Sequence, residues 1–310
     1  MENTEFDVII AGGGPAGLSA LLWCADLGLN AILLEKEAEY GGQLLLIHNA
    51  IQNYLGVETA NGRELRDIFL FRCQLENTKM KHRTGANIVD ADLSQKTLVL
   101  SDGTKHSSGA IIIATGVRRR KLTVPGEEEF RGRGILGSGK NAVDEMRGKT
   151  VVIVGGGDAA LENALILSET ARKIILIHRR AEFTARQEFL SKAKGSDKVE
   201  FCVDTQITKI IGNDGVEGVE LKHLTTGMLS LIEADAVLIR IGVEPNTELF
   251  RGQIELDEDG YIAIGTNCAT TRPNIFAVGD VANRIAPTIT AAVGHGSIAA
   301  KAILAKINVR

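Results

Sequence analysis

Residues Phe6 to Gly17 read FDVIIAGGGPAG, an apolar run that turns straight into glycines and then into the helical pattern Leu18 to Leu29. Read physically, this is a strand, a tight turn and a helix. Gly12 permits the turn, Gly14 lets backbone approach a pyrophosphate, Pro15 and Ala16 stand beside it as cofactor contacts, and Gly17 packs helix on strand. The N-terminal N–H groups and dipole of that helix face the bound anion. A lone glycine fingerprint of this kind is weak evidence, and the bland alternative is a glycine-rich turn in some other α/β unit. Here the context is present. Asn30 to Glu35 (NAILLE) reads as the next buried strand, and it ends in an acid, followed by Lys36, about twenty residues on, where a ribose hydroxyl needs an acceptor.

The chain contains this arrangement twice. Lys149 to Ala160 (KTVVIVGGGDAA) repeats the strand, the turn Gly155-x-Gly157 with Asp158, Ala159 and Ala160, and the helix, and Lys173 to Ile177 is its second strand. That strand ends on His178-Arg179-Arg180, at the offset where the first unit has its acid. An acid accepts from ribose hydroxyls and repels a 2′-phosphate, whereas an arginine pair neutralises that phosphate. The first site is therefore expected to hold FAD and the second NADPH.

Composition bounds the rest. With 310 residues, 44% apolar and 24% charged, the chain is long enough for two cores of ordinary domain size. No run reaches the roughly 18 apolar residues of a membrane span, and the acidic N-terminus leads into the first strand without room for a signal peptide. A cytoplasmic protein is expected, without membrane partners. The net charge of −4 argues against nucleic acid as a partner through field alone. The four cysteines, Cys24, Cys73, Cys202 and Cys268, include no C-x-x-C, so neither a zinc site nor a local redox pair is written here.

Along the chain, Gly41-Gly42-Gln43 follows the acid-tipped strand and suggests backbone close to a ligand. A helix is expected over Gly62 to Asn77, strands at Asn87 to Ala91 and Thr97 to Leu100, and a doubly buried strand Ala110 to Ala114 that delivers Thr115-Gly116 to a site. The basic segment Arg118-Arg119-Arg120-Lys121 reads as a linker. The second unit then runs to Ala236 to Ile241 (AVLIRI), after which Gly242 and Pro245 mark a return crossing. Asn274 to Asp280 reads as a strand entering Gly279-Asp280, and Thr288 to Ile307 as a helix whose Gly294 and Gly296 allow close packing. The fold class is α/β: two Rossmann-like, three-layer nucleotide-binding domains, with the NAD(P)H domain (118–242) inserted into a discontinuous FAD domain (1–117 and 243–310).

Gly12 to Gly17, Gly41-Gly42-Gln43-Leu44, Asn53-Tyr54-x-Gly56, Ala114-Thr115-Gly116, Gly155 to Ala160, His178-Arg179-Arg180, Ile241-Gly242-x-x-Pro245-Asn246 and Phe276-Ala277-x-Gly279-Asp280 stand in one order over nearly the whole chain. Together they resemble the low-molecular-weight thioredoxin reductase family. The resemblance implies a homodimer whose NADPH domain rotates over the flavin. It also implies hydride transfer from NADPH to FAD. It assigns FAD contacts to Gly12, Gly14, Gly17, Glu35, Gln43, Asn53, Thr115 and Asp280. The start of the last helix, near Thr288 and Ile289, would stabilise negative charge on the reduced ring. NADPH contacts fall on Gly155, Gly157, Asp158, His178, Arg179 and Arg180.

The departure is equally specific. The family's redox Cys-x-x-Cys falls on Ser138 and Asn141, neither of which can form a disulfide. The family's further arginine after His-Arg-Arg is replaced by Thr184, with Arg186 two positions on, which leaves NADH open as coenzyme. Ala16 stands where a related thiol-disulfide reductase group carries a cysteine. Three readings follow. Electrons pass directly to a non-dithiol acceptor such as ferredoxin, flavodoxin, a quinone, another small molecule or dioxygen. Alternatively a thioredoxin or low-molecular-weight-thiol disulfide is reduced through an unplaced cysteine, or the chain binds flavin and nucleotide without turnover. For the first reading, the basic linker with Arg131 and Arg133 suggests docking of a small acidic electron carrier, against the alternative of a solvated linker. Against that reading, no C-terminal extension of the kind with which ferredoxin reductases of this fold cover the flavin is expected after the last helix.

Overall fold

The computed structural model describes residues 5–75 and 80–307. Two compact units emerge, one running through Arg118 and resuming at Glu244, the other spanning Arg119–Val243. The two crossings, Val117–Arg119 and Val243–Pro245, pair with each other as a two-stranded ribbon.

In the first unit a sheet runs in the order Lys81–Arg83, Ala31–Leu34, Phe6–Ala11, Lys105–Ile113, Thr97–Leu100 and Ile88–Asp92. Ile275–Ala277 also pairs with Lys105–Ile113, in parallel. The strand Phe6–Ala11 is flanked by parallel neighbours on both sides, Ala31–Leu34 and Lys105–Ile113. Its alternate side chains enter two cores: Val8 and Ile10 join Leu18, Leu21, Ala299 and Ile303, while Ile9 and Ala11 join Leu98, Ile111 and Phe250. Burial on both faces is why the strand is apolar at nearly every position rather than at every second one.

The helix after the first turn starts at Pro15, three residues before the expected Leu18, and ends at Asp26. Proline suits the first helical position, where its missing N–H is not needed, and Gly28 (φ +73°) takes the chain out. The strand expected from Ala110 starts at Lys105. Its polar first half alternates between faces and pairs antiparallel with Thr97–Leu100. The helix expected to reach Asn77 ends at Cys73, where Gln74 turns left-handed, and Asn77 itself lies outside the described residues. The last helix, Ile289–Ile307, crosses the first at close range. A Cβ on Gly296 would lie 2.5 Å from Ala16 O and 2.8 Å from Ala20 N, so glycine is required there, whereas Gly294 faces open space.

The second unit carries a parallel sheet in the order Val199–Cys202, Lys173–Ile177, Thr150–Val154 and Ala236–Ile239. It also has an antiparallel sheet of Thr205–Gly212, Val216–His223 and Leu229–Glu233. Val151 and Ile153 face the core beneath helix Asp158–Ser168, and Val152 and Val154 face the core shared with the antiparallel sheet. No helix among the described residues is long and apolar enough to cross a membrane.

Candidate active site

Two glycine turns are built on one plan. In the first, Gly12 (φ +112°) abuts Ala114, and a Cβ on Gly17 would overlap the carbonyl oxygen of Gly12. The middle glycine, Gly13, donates its N–H to Glu35 Oε2 at 2.6 Å, and Glu35 Oε1 accepts from Glu37 N at 2.9 Å. Glu35 is buried, and each of its oxygens has accepted one bond, leaving lone pairs for ribose hydroxyls. Gly41 (φ +126°) and Gly42 (φ +51°) complete the cradle: Gly41 N donates to Gly13 O, and a Cβ on Gly42 would lie 3.1 Å from the Gly14 Cα. Backbone bare of side chains on both sides is what a pyrophosphate needs to make close contact.

The second turn repeats this with one substitution. Gly155 (φ +147°) packs on Arg240 O and on the Ala160 methyl, which takes the place of Gly17. A Cβ on the middle glycine, Gly156, would run into the His178 ring, which occupies the place of Glu35. His178 Nε2 donates to Glu182 O at 3.0 Å. Burial holds its pKa below the usual value against the opposing bond to the Glu182 carbonyl, with Arg180 and Arg179 adding to the lowering, and the ring packs under Gly156. Arg179 and Arg180 are exposed and form no ion pair among the described residues. Arg186 is held by Asp158, through its backbone N at 2.7 Å and its Nε at 2.8 Å, and lies over the Phe189 ring. Asp158 thus positions an arginine, and Thr184 N closes the turn onto Gly156 O. Gly157 and the exposed Ala159 leave the helix start open.

Gly279 (φ +71°) sits against Ala16 and Ala292, bringing Asp280 to the first unit's glycine turn. The half-buried Asp280 carboxylate makes no side-chain hydrogen bond among the described residues, and burial raises its pKa. An unpartnered, partly desolvated acceptor of this kind fits a hydroxyl-bearing ligand. Thr288 Oγ1 caps the last helix by accepting from Ala291 N, so that Ile289 opens it. These residues fit FAD.

Thr115 Oγ1 donates to Asn246 O at 2.8 Å while Asn246 Nδ2 donates to Thr115 O at 2.7 Å, and Asn246 N bonds Gly116 O. Gln43 Nε2 donates to Val117 O. Ile241 is half-buried, and Gly242 O accepts from Arg120 N. Lys36 is exposed beside Glu37, and Asn53 is exposed with no recorded contact to the glycine turns.

The basic linker is neutralised in part. Arg118 bonds Glu244, Glu248 and Asn246; Lys121 and Arg131 share Glu128; Arg133 bonds the carbonyls of Glu129 and Asp214. Part of the charge expected to dock an acidic carrier is thus paired within the chain, while Arg119, Arg120 and Arg133 bond only carbonyl oxygens. The cysteines are free. Burial pushes Cys24 to about 12, and Cys73 and Cys268 to about 11, and it also raises Cys202. Ser138 caps the helix Gly139–Ala142, its Oγ accepting from Asn141 N.

Sequence reading missed Tyr40, buried against Gly13, and Asn163, whose Oδ1 accepts from Gly139 N at 3.1 Å. It also missed Arg240, which did carry a signal: one charge interrupting the apolar run AVLIRI.

A double Rossmann-like architecture with two phosphate turns defines a dinucleotide-dependent flavoprotein oxidoreductase. The pyridine nucleotide-disulphide oxidoreductase model matches residues 6–296, and the chain belongs to that family. The thioredoxin reductase of Mycolicibacterium smegmatis is 36% identical over 96% of this chain and 95% of its own length, and that of Peptoclostridium litorale is 35% identical over 97% and 96%. Among solved structures, Lactococcus lactis thioredoxin reductase superposes with a TM-score of 0.81 at 30% identity, covering 99% of this chain and 100% of the other. The protein is an FAD-dependent oxidoreductase of the thioredoxin reductase type, and the cofactors of that type are FAD and NADPH.

Proposed function

We propose that this chain passes the reducing equivalents of NADPH to a small-molecule acceptor, such as a quinone, without an intervening protein disulfide. The observation that carries this reading is the state of the sulfur atoms. All four cysteines are free, burial raises every one of their pKa values, and Ser138 and Asn141 form a helix cap at the positions where the resemblance places a redox pair. A thiol relay needs an accessible thiolate with a partner, and free cysteines with raised pKa values support a route that does without one.

The FAD cradle comprises Gly12 to Gly17, Glu35, Gly41-Gly42, Ala114 and Asp280, within 1–117 and 243–310. Gln43, Asn53, Thr115, Thr288 and Ile289 would complete the FAD site as the resemblance assigns them. Gly155, Gly157, Arg179, Arg180 and Arg186 hold NADPH within 118–242, with His178 and Asp158 as supports. Bound FAD supplies the redox chemistry that no side chain here provides. The protein's part is to bind, orient and neutralise: arginines at the 2′-phosphate, carboxylates at hydroxyl groups, and bare backbone at pyrophosphates. In the net reaction a quinone takes a hydride equivalent from NADPH and a proton from solvent, giving hydroquinone and NADP⁺. The assembly is a homodimer, as in the family resembled.

The test is anaerobic. NADPH should bleach the flavin absorbance of the FAD-loaded protein, and menadione should restore it rapidly. Oxidised thioredoxin and oxidised ferredoxin should restore it slowly or not at all. Fast reoxidation by thioredoxin disulfide, or absence of bleaching, would sink this reading.

A further inference from the structure

Two arginines of the second unit converge where the expected site has no use for them. Arg119 ends the strand Val117–Arg119, and Arg240 follows directly on Ala236–Ile239, at the carboxyl end of the parallel sheet. The guanidinium of Arg119 donates through Nη1 to the carbonyl oxygen of Gly137, and Arg240 Nη2 donates to the same oxygen at 3.1 Å. Arg240 Nη1 also donates to Ile239 O at 2.8 Å. Neither arginine has a carboxylate partner among the described residues, although the neighbouring Arg118 and Lys121 have theirs.

The backbone around this pair is fixed. Arg240 N donates to Val154 O, and Arg240 O packs against Gly155, the first glycine of the phosphate turn. Gly137 leads into Ser138 and the helix Gly139–Ala142, which is anchored by Asn163. Both guanidinium pKa values are lowered by burial. Arg240, pushed down to about 10, is lowered further by the charge of Arg119. Two like charges brought together beside one neutral carbonyl repel each other and are only partly solvated. The arrangement gains when an anion supplies the missing charge, and a planar fork with unused N–H groups is the geometry that grips an oxyanion.

We propose that Arg119 and Arg240 form an oxyanion subsite beside Gly137 that takes a carboxylate, sulfonate or phosphate group of the acceptor. The preferred acceptor is therefore an anionic small molecule, an inference that rests on direct transfer to such a molecule. The segment that follows Gly137 carries Ser138 and Asn141 in place of the family's cysteines, so substrate recognition here falls to charge rather than to sulfur.

The first measurement needs no turnover. Calorimetric titration of oxidised, FAD-loaded protein with naphthalene-2-sulfonate, a redox-inert probe, should show binding that Arg119→Gln and Arg240→Gln each weaken. The double variant should weaken it at least about tenfold, and the double lysine variant should retain part of it. The second measurement is kcat/KM for 1,4-naphthoquinone-2-sulfonate relative to uncharged menadione. This ratio should fall at least about tenfold in the double glutamine variant. Melting temperature and flavin content identify which variants are folded, and the exposed Arg119 single variant keeps the test open if the double variant is not. Unchanged probe binding in folded variants overturns the subsite. A rise in KM for NADPH with an unchanged quinone ratio assigns the oxyanion to the coenzyme and overturns the acceptor assignment. Arginine-dependent probe binding in a protein that reduces neither quinone supports the subsite while defeating direct transfer alone.

Discussion

Ser138 Oγ accepts the backbone N–H of Asn141 at 3.5 Å, which makes these two residues the N-cap and third residue of the helix Gly139–Ala142. The bond is long, so its contribution belongs at the low end of capping energies. Ser138→Ala is expected to cost about 0.5 kcal/mol in urea unfolding and to leave NADPH–quinone turnover at the wild-type rate. A folded, flavin-loaded S138A protein with turnover reduced tenfold would give the serine a chemical role that this account denies it.

Asp280 links stability to binding in opposite directions. Burial raises its pKa in the folded protein above the unfolded value, so the folded state holds the proton more tightly. Between the ordinary carboxylate value and that raised value, stability of the FAD-free protein falls as pH rises, and above both the full penalty remains. Asp280→Asn should therefore raise the melting temperature of the FAD-free protein at pH 7 and flatten its dependence on pH in the acid range, while weakening FAD binding. A variant that loses stability without FAD would show that the carboxylate has a partner.

The two exposed arginines after Lys173–Ile177, Arg179 and Arg180, are the residues proposed to set coenzyme choice. Replacing both Arg179 and Arg180 by alanine should raise KM for NADPH by roughly 1.5–3 kcal/mol in equivalent free energy for each bond lost to the 2′-phosphate, before compensation by Arg186. NADH kinetics should hardly move. Equal kcat/KM for the two coenzymes in the wild type would remove the premise.

Gly17→Ala tests the first cradle. Its Cβ would overlap the carbonyl oxygen of Gly12, which is backbone and cannot swing away. Overpacking of this kind costs about 1–3 kcal/mol or more, so the variant should unfold at lower urea and be purified largely without flavin. Ala160 already carries that methyl in the second turn, and Ala160→Gly should be far milder.

The parts of the molecule legible in the sequence are those fixed by local backbone chemistry. The turns Gly12–Gly17 and Gly155–Ala160, the doubly buried strands and the Gly279-Asp280 corner follow from residues close together in the chain, where apolar runs meet positive-φ glycines. The destinations of long polar side chains were not legible. Arg118, Arg119 and Arg120 read as one basic run, yet they end on three different sets of partners: Arg118 and Arg119 point to opposite faces of their strand, and Arg120 lies beyond its end. His178 was legible as the counterpart of Glu35 by its offset, but its packing under Gly156 was not.

The most direct test of the central claim removes all sulfur nucleophiles at once. With Cys24, Cys73, Cys202 and Cys268 replaced by serine or alanine, and with folding and FAD content verified, anaerobic NADPH–menadione turnover is predicted to stay within about twofold of wild type, since thiols with raised pKa values are poor thiolates at neutral pH. A folded, fully flavin-loaded variant that no longer turns over would contradict direct transfer and require a thiol in the path.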